Sequence, residues 1–274
     1  MTLLISVLVF ILGSAIGSFL SVAIYRLRHH EKKILFGRSM CPNCKKQLKW
    51  NHMIPVFSWL FLRGKCGYCG QRISVHYLLL ELVTGISFLA IFLNWNFVQI
   101  DPTLVNPDYL GYYFNPGVFE SFIFYAVMMS FMVAIFFYDL MYQEIPDQFS
   151  LPAIALGIAG GLYFGSQDWK NMLIGGTLLG LFFLLQYVIS KGKWIGGGDV
   201  RLGVLMGVLL GWDFGLLALI VGYLLGSIVA VWMLLSRKAT RKSAIALGPF
   251  LITGIVIAIF YGNFVMDWYL NILL

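Results

Sequence analysis

The sequence predicts an all-α polytopic membrane protein, with about eight transmembrane helices and a small zinc-knuckle module in a cytoplasmic loop. Three observations predict it. Hydrophobic residues make up 60% of the 274-residue chain and charged residues only 11%, where a soluble domain is nearer half apolar and a quarter charged. The apolar residues gather in runs long enough to cross a hydrocarbon layer of about 30 Å. The four cysteines, Cys41, Cys44, Cys66 and Cys69, all fall in one polar stretch, as two CxxC pairs. The net charge of +7 follows from the Lys and Arg that membrane proteins keep in cytoplasmic loops. Those basic residues are not interleaved with aromatics in a soluble domain, so membrane lipid is an expected partner and nucleic acid is not.

Residues 3–25 form the first apolar run, with Gly13, Ser14, Gly17 and Ser18 suited to close helix packing. The run lacks a basic n-region and a small-residue cleavage site, and reads as a retained span rather than a signal peptide. Arg26, Arg28, Lys32 and Lys33 then place this end in the cytoplasm. Residues 26–76 carry eleven Lys and Arg against one acid, Glu31, together with all four histidines, and are read as cytoplasmic. The second span covers about 77–98; its Glu81 faces protein or snorkels to the interface. Residues 99–117 hold Asp101 and Asp108 and no Lys or Arg, as an external loop would. Further spans are read at about 118–138, 149–166, 172–190, 200–212, 214–236 and 246–264. The sixth is short for a straight crossing and follows a glycine stretch, a pattern expected where irregular backbone lines a cavity. Eight spans put both termini outside, with Lys170 the one basic residue on the outer side. No internal repeat is evident.

Two carboxylates stand out. Asp199 closes Gly196-Gly197-Gly198-Asp199, and Asp139 ends the third span in Tyr138-Asp139-Leu140. An ionisable residue at the edge of a hydrocarbon layer is a functional-site hypothesis with a partner to be found. The charge rule places both at the same membrane face. Two carboxyls brought together share a proton, so that one serves as base and the other as acid. The glycines are expected to allow close backbone approach and conformations closed to other residues, and Gly196 and Gly198 are expected to lie against an extended substrate. Pro146 makes 140–147 a turn, and Glu144 and Asp147 there are candidates to receive a basic substrate. Asp147 is also a rival for catalysis, but outside the membrane edge, so Asp139 is preferred.

Cys41-Pro42-Asn43-Cys44 and Cys66-Gly67-Tyr68-Cys69 are separated by 21 residues. Paired knuckles of this kind supply four thiolates to a closed, tetrahedral structural zinc site. A reducing cytoplasm argues against disulfides, and a redox pair is the alternative. The apolar stretch Met53–Leu62 between the knuckles packs on the membrane surface or covers the active site.

Taken together, these motifs resemble the bacterial type IV prepilin peptidases, which are membrane aspartic proteases of the GxGD type. The match rests on Gly17-Ser18-Phe19-Leu20-Ser21-Val22-Ala23-Ile24-Tyr25-Arg26-Leu27, on the paired CxxC module with Ser58-Trp59 and Arg63-Gly64-Lys65-Cys66, on Asp139-Leu140 leading to Ile145-Pro146-Asp147, and on Gly196 to Asp199. Ser21 stands where many members carry Asn. The resemblance implies Asp139 and Asp199 as the catalytic pair. It implies cleavage of the basic leader of prepilins, pseudopilins or competence pilins after a Gly, at the cytoplasmic face of the cell inner membrane. It also implies S-adenosylmethionine-dependent N-methylation of the new N-terminus, tied to the larger cytoplasmic loop. The expected division is a first helix over 1–25, the cysteine module over 26–76 and a transmembrane peptidase domain over 77–274. Two other readings stay open: an ion- or proton-coupled transporter with a zinc-stabilised loop, and a signal-peptide or presenilin-like GxGD protease. The paired CxxC loop and the 139–147 turn do not fit the latter.

Overall fold

Every apolar run of the sequence is helical in the computed structural model, which describes residues 2–29, 39–100, 112–164, 168–237 and 245–273. In chain order the helices are α1 (Thr2–Arg28), α2 (Phe57–Phe61), α3 (Val75–Asn94), α4 (Pro116–Tyr142), α5 (Asp147–Phe164), α6 (Trp169–Ser190), α7 (Gly197–Leu235) and α8 (Gly248–Leu273). Two three-residue strands, β1 (Val98–Ile100) and β2 (Tyr112–Phe114), pair antiparallel between α3 and α4. Lys32, Lys33, Asp101, Asp108 and the basic residues 238–242 lie outside the described residues.

Helix boundaries follow local chemistry. Ser74 caps α3 by accepting the His76 N–H, and Asp168 caps α6 by accepting that of Lys170. Pro116 opens α4, where its missing N–H costs nothing. At the far end of α6, Lys191 takes the left-handed conformation that terminates helices.

Six described helices are long and apolar enough to cross a membrane: Leu3–Arg28, Val75–Asn94, Pro116–Tyr142, Trp169–Ser190, Gly197–Leu235 and Gly248–Asn271. The eight expected runs all appear as helical segments, and only six elements meet that measure for two reasons. The fourth run, α5, begins with Asp147 and Gln148, carries Pro152, and falls short by that measure. The sixth and seventh runs form one helical element, α7, broken only at Gly211 (φ 77°, ψ −175°).

That break is a reversal. A Cβ on Gly215 would stand 3.7 Å from Gly207 Cα, whereas a straight helix separates residues eight apart by about 12 Å. The backbone conformation at Gly211 is open essentially to glycine alone. The first arm, 14 residues from Gly197 to Leu210, is about 21 Å long, shorter than a bilayer core. Trp212 N–H donates to Asn171 Oδ1 at 3.0 Å, fixing the tip of the hairpin to α6.

The chain divides into two compact units, Met1–Ala134 and Ile135–Leu274, with the division inside α4. In the first unit α1 and α3 pack backbone to backbone. A Cβ on Gly17 would come 2.8 Å from Glu81 Cα, and one on Gly13 would come 2.8 Å from Phe88 Cβ. Phe88, Phe92, Phe97, Phe119 and Phe122 close one end of that unit with edge-to-face ring contacts. In the second unit α6 lies equally close to α7, where a Cβ on Gly175 would come 2.6 Å from the Gly211 carbonyl carbon. Interfaces made of small residues are what membrane helices use when hydrophobicity cannot drive their association.

Candidate active site and metal centre

Asp139 ends up in the last turn of α4 and Asp199 in the first turn of α7. Both are buried, with 4% and 8% of their surface exposed. They line one cavity of about 550 Å³ within the second unit, together with Tyr138, Glu144, Ile145 and Gly196–Gly198. Asp199 lies within electrostatic range of Asp139.

Each carboxyl is met by the start of a helix. Asp199 Oδ2 accepts the Gly196 N–H at 2.9 Å, ahead of the first turn of α7. Asp139 is faced by the main-chain N–H of Gly248, the first residue of α8. Helix N-termini carry unsatisfied N–H groups and a partial positive charge, both favourable to a carboxylate. Asp139 Oδ2 is buried and completes no hydrogen bond among the described residues. A buried polar atom without a partner is costly, and here it points to what the cavity holds during work.

The glycine stretch differs from expectation. No residue of it has a positive φ: Gly196 is extended (φ −84°, ψ 159°), and Gly197 and Gly198 are already helical. Both main-chain groups of Gly196 are engaged by Asp199, the N–H by the side chain and the carbonyl by the Asp199 N–H at 3.1 Å. Strand-like pairing of a substrate at this position therefore finds its hydrogen bonds in use. Glycine is required for room at one position: a Cβ on Gly198 would come 2.6 Å from Ile145 Cβ, whereas one on Gly197 would meet nothing within 4 Å.

Ile145 itself is held by Arg201, two residues past Asp199. The Arg201 Nη2 donates to the Ile145 carbonyl at 2.9 Å, and Nη1 pairs with the Asp147 carboxylate. Of the site residues expected from sequence, Asp139, Asp199, Gly196, Gly198 and Glu144 meet in the cavity. Asp147 does not line it; it opens α5, exposed, in its ion pair with Arg201. Arg201, Ile145 and Gly248 are the residues that sequence reasoning missed. Ile145 lay inside the Ile145-Pro146-Asp147 motif, Arg201 follows the glycine stretch two residues past Asp199, and Gly248-Pro249 is a helix-start signal.

The cysteines meet in the first unit. The four Sγ atoms lie within 4.8 Å of one another, and Cys41 and Cys69 are 3.9 Å apart. Four sulfurs at about 2.3 Å from a tetrahedral zinc would be about 3.8 Å apart, so the cluster can hold a metal ion. The structure also reveals a short internal repeat, absent from the sequence reading. Cys41 and Cys66 N–H groups donate to Lys46 and Gln71, Lys45 and Gly70 donate back to Cys41 and Cys66, and Leu48 and Ile73 close onto Ser39 and Gly64. Lys45 and Gly70 share the left-handed conformation (φ 58° and 69°). The backbone N–H of Gln71, with help from Asn43, pulls the Cys69 thiol down to about 7. The Lys46 N–H favours the Cys44 thiolate, but desolvation and the adjoining Cys41 and Cys69 outweigh it and push Cys44 up to about 11. Four thiols this close cannot all ionise without a cation among them.

A second cavity, of about 400 Å³, lies beside this cluster within the same unit. Buried Arg26 and Glu81 line it, as do His52, Trp59, Tyr25 and Tyr77. Glu81 faces protein, as one of its two sequence readings required, and accepts the Val56 N–H at 2.7 Å.

A helical membrane protein with two buried carboxyls in one cavity and a four-thiol centre in a separate unit falls in the class of multi-pass membrane enzymes. The model of the type IV leader peptidase family matches residues 126–231, and that of the bacterial peptidase A24 N-terminal domain matches residues 11–95. A prepilin leader peptidase/N-methyltransferase of Xanthomonas campestris pv. campestris is 30% identical over 288 residues, covering 95% of this chain and 92% of its own length. The protein of that name from Legionella pneumophila is 27% identical over 283 residues, covering 94% and 91%. The one from Myxococcus xanthus is 32% identical over 239 residues, covering 85% of this chain; the chain spans only 64% of that relative's length. No solved structure matches. The chain belongs to the type IV leader peptidase family and is a peptidase, which removes the transporter reading.

Proposed function

We propose that this protein is a membrane aspartic endopeptidase that removes the basic leader of type IV prepilin-like substrates, cutting after a Gly at the cytoplasmic face of the cell inner membrane. The reading rests on one observation: two buried carboxyls, from the end of α4 and the start of α7, line a single cavity in a chain of a peptidase family. One aspartate takes a proton from water while the other, protonated, donates to the scissile carbonyl oxygen. The roles reverse as the amine leaves. No covalent intermediate forms on the enzyme. Asp139 and Asp199 are the catalytic residues of this proposal, and the unpartnered Asp139 Oδ2 is the atom that addresses water or the carbonyl. Glu144 lines the cavity and is the acid that receives the basic leader in this proposal. Asp147 is drawn to Arg201 and serves the turn rather than the leader. Gly196 and Gly198 form the floor against which the substrate chain lies. The cytoplasmic assignment is supported by the basic residues Lys191, Lys193 and Arg237 at helix ends.

After cleavage the relatives' name implies methylation of the new N-terminal amine, and the cavity of the first unit fits S-adenosylmethionine. Its volume is in the range of small-molecule sites. Two buried ring nitrogens there, His52 Nδ1 and Trp59 Nε1, have no hydrogen-bond partner among the described residues and suit an adenine edge. Arg26 is placed for the methionyl carboxylate and Glu81 for the donor's positive charge. The bound donor would supply a methyl group activated on sulfonium sulfur. The metal of the four-thiol centre is zinc in this proposal, with a structural role, since all four positions are taken by protein.

Mass spectrometry of the N-terminus of a co-expressed prepilin tests both steps at once, because it reads the cleavage position and any added methyl together. Asp139→Asn and Asp199→Asn should each leave only full-length prepilin, at unchanged enzyme levels. Cleavage surviving Asp139→Asn but lost in Asp147→Asn would reassign the pair.

A further inference from the structure

The cysteine module presents a face that its own packing leaves uncovered. In α2 the large apolar residues Phe57, Leu60 and Phe61 are spaced to share one side of the helix. The Phe57 and Phe61 rings stack with centroids 6.4 Å apart. They and Leu60 are 53%, 82% and 52% exposed respectively, and the neighbouring Trp50 is 77% exposed. Trp59 points the other way, against Gly64 and into the cavity of the first unit. The sequence Phe-Ser-Trp-Leu-Phe is thus split, with one aromatic used inside and two held outside.

The outward pose is built into the chain. Val56, just before α2, has φ 64° and ψ −55°, a conformation that a β-branched residue adopts only under constraint. The constraint comes from Glu81, whose Oε2 accepts the Val56 N–H at 2.7 Å. Glu81 lies six residues into the spanning helix α3, about 9 Å along its axis. The start of α2 is therefore tied to α3 close to the level where α3 begins. The C-terminal end of the module leads directly into the spanning helix α3.

Charge indicates what covers this face. Lys45, Lys46, Lys49, Arg63, Lys65 and Arg72 are all exposed on the module, and the described part of it, residues 39–74, contains no Asp or Glu. An apolar edge among cations, at the mouth of a membrane-crossing helix, matches an acidic phospholipid surface: acyl chains take the rings, and headgroup phosphates take the Lys and Arg side chains. We infer that α2 and Trp50 form an interfacial wedge that seats the cysteine module on acidic phospholipid, beyond and independent of the proposed peptide cleavage. A pilin-like helix or a second copy of this chain would match the apolar rings but would have no need of the surrounding cations.

The full chain, reconstituted in nanodiscs of phosphatidylcholine with or without phosphatidylglycerol, tests this with two readouts. A diazirine-bearing amino acid at position 61 should give lipid adducts on irradiation, and phosphatidylglycerol should raise their yield roughly two-fold or more. The fluorescence lost in Trp50→Phe, taken as a difference from the unsubstituted chain, should be quenched by brominated acyl chains and shielded from aqueous iodide. Adducts confined to a co-reconstituted prepilin or to a second copy would overturn the inference. So would the absence of lipid adducts in either disc, or a Trp50 signal quenched by iodide and not by brominated lipid.

Discussion

Alanine at position 198 puts a methyl group 2.6 Å from Ile145 Cβ and 3.1 Å from its Cδ1. Carbon atoms prefer about 3.5–4.0 Å, so the start of α7 or the 143–147 turn must give way by about 1 Å. Ile145 cannot retreat cheaply, because Arg201 holds its carbonyl at 2.9 Å and a Cβ on Gly248, across from it, would stand 3.3 Å from its Cδ1. The displacement therefore falls on Asp199, the next residue along. A misplacement of about 1 Å in a reacting group costs about 100-fold in rate, or about 2.7 kcal/mol of barrier. Gly198→Ala should lower kcat for leader release by about that factor in proteoliposomes. Gly197→Ala makes the same chemical change one residue away, meets nothing within 4 Å, and should cleave as the unsubstituted enzyme does. Combining Gly198→Ala with Ile145→Ala should recover part of the loss, because the two side chains compete for one space. Equal activity of Gly198→Ala and Gly197→Ala, whether both normal or both lost, would refute the reasoning.

Arg201→Met removes a charged hydrogen bond worth about 1.5–3 kcal/mol and a half-exposed ion pair worth at most about 1 kcal/mol. We expect kcat to fall about 10- to 100-fold with KM nearly unchanged, and Asp147→Asn to show a smaller loss in the same assay. Gly211→Ala should destabilise the hairpin of α7 by about 1–3 kcal/mol, read as a lower unfolding temperature in detergent, whereas Gly197→Ala should not. Chelation of the thiol-bound metal should speed hydrogen exchange across residues 39–48 and 64–73, the two knuckles, and leave 197–210 unchanged; metal analysis of the purified protein should find one zinc per chain.

Much of the fold was legible because its causes are local. A run of apolar residues is helical in a membrane for reasons contained in that run, and all eight runs of this chain are helices. The paired CxxC spacing likewise brought four thiols to one point, because each knuckle closes through hydrogen bonds within ten residues. Asp139 and Asp199 were legible as outliers, since a carboxylate between apolar runs needs a reason. The boundary between the sixth and seventh runs was legible to within two residues, but the reversal there was not. Gly211 looks like any of the 29 glycines, and nothing around it announces a positive φ. Nor did the pattern reveal the knuckle repeat, because Lys45 and Gly70 take the same backbone pose with different side chains.

By itself, then, the sequence determined a helical membrane protein, a four-thiol centre and two acids in want of each other, because hydropathy and short-range spacing act within a few residues. Tertiary structure alone decided which glycine must be glycine, that Gly248 faces an aspartate more than a hundred positions earlier, and that Arg201 takes Asp147 away from the cavity. Those outcomes depend on van der Waals contact and hydrogen bonding between segments remote in the chain, and such contacts leave no periodic trace in the order of residues.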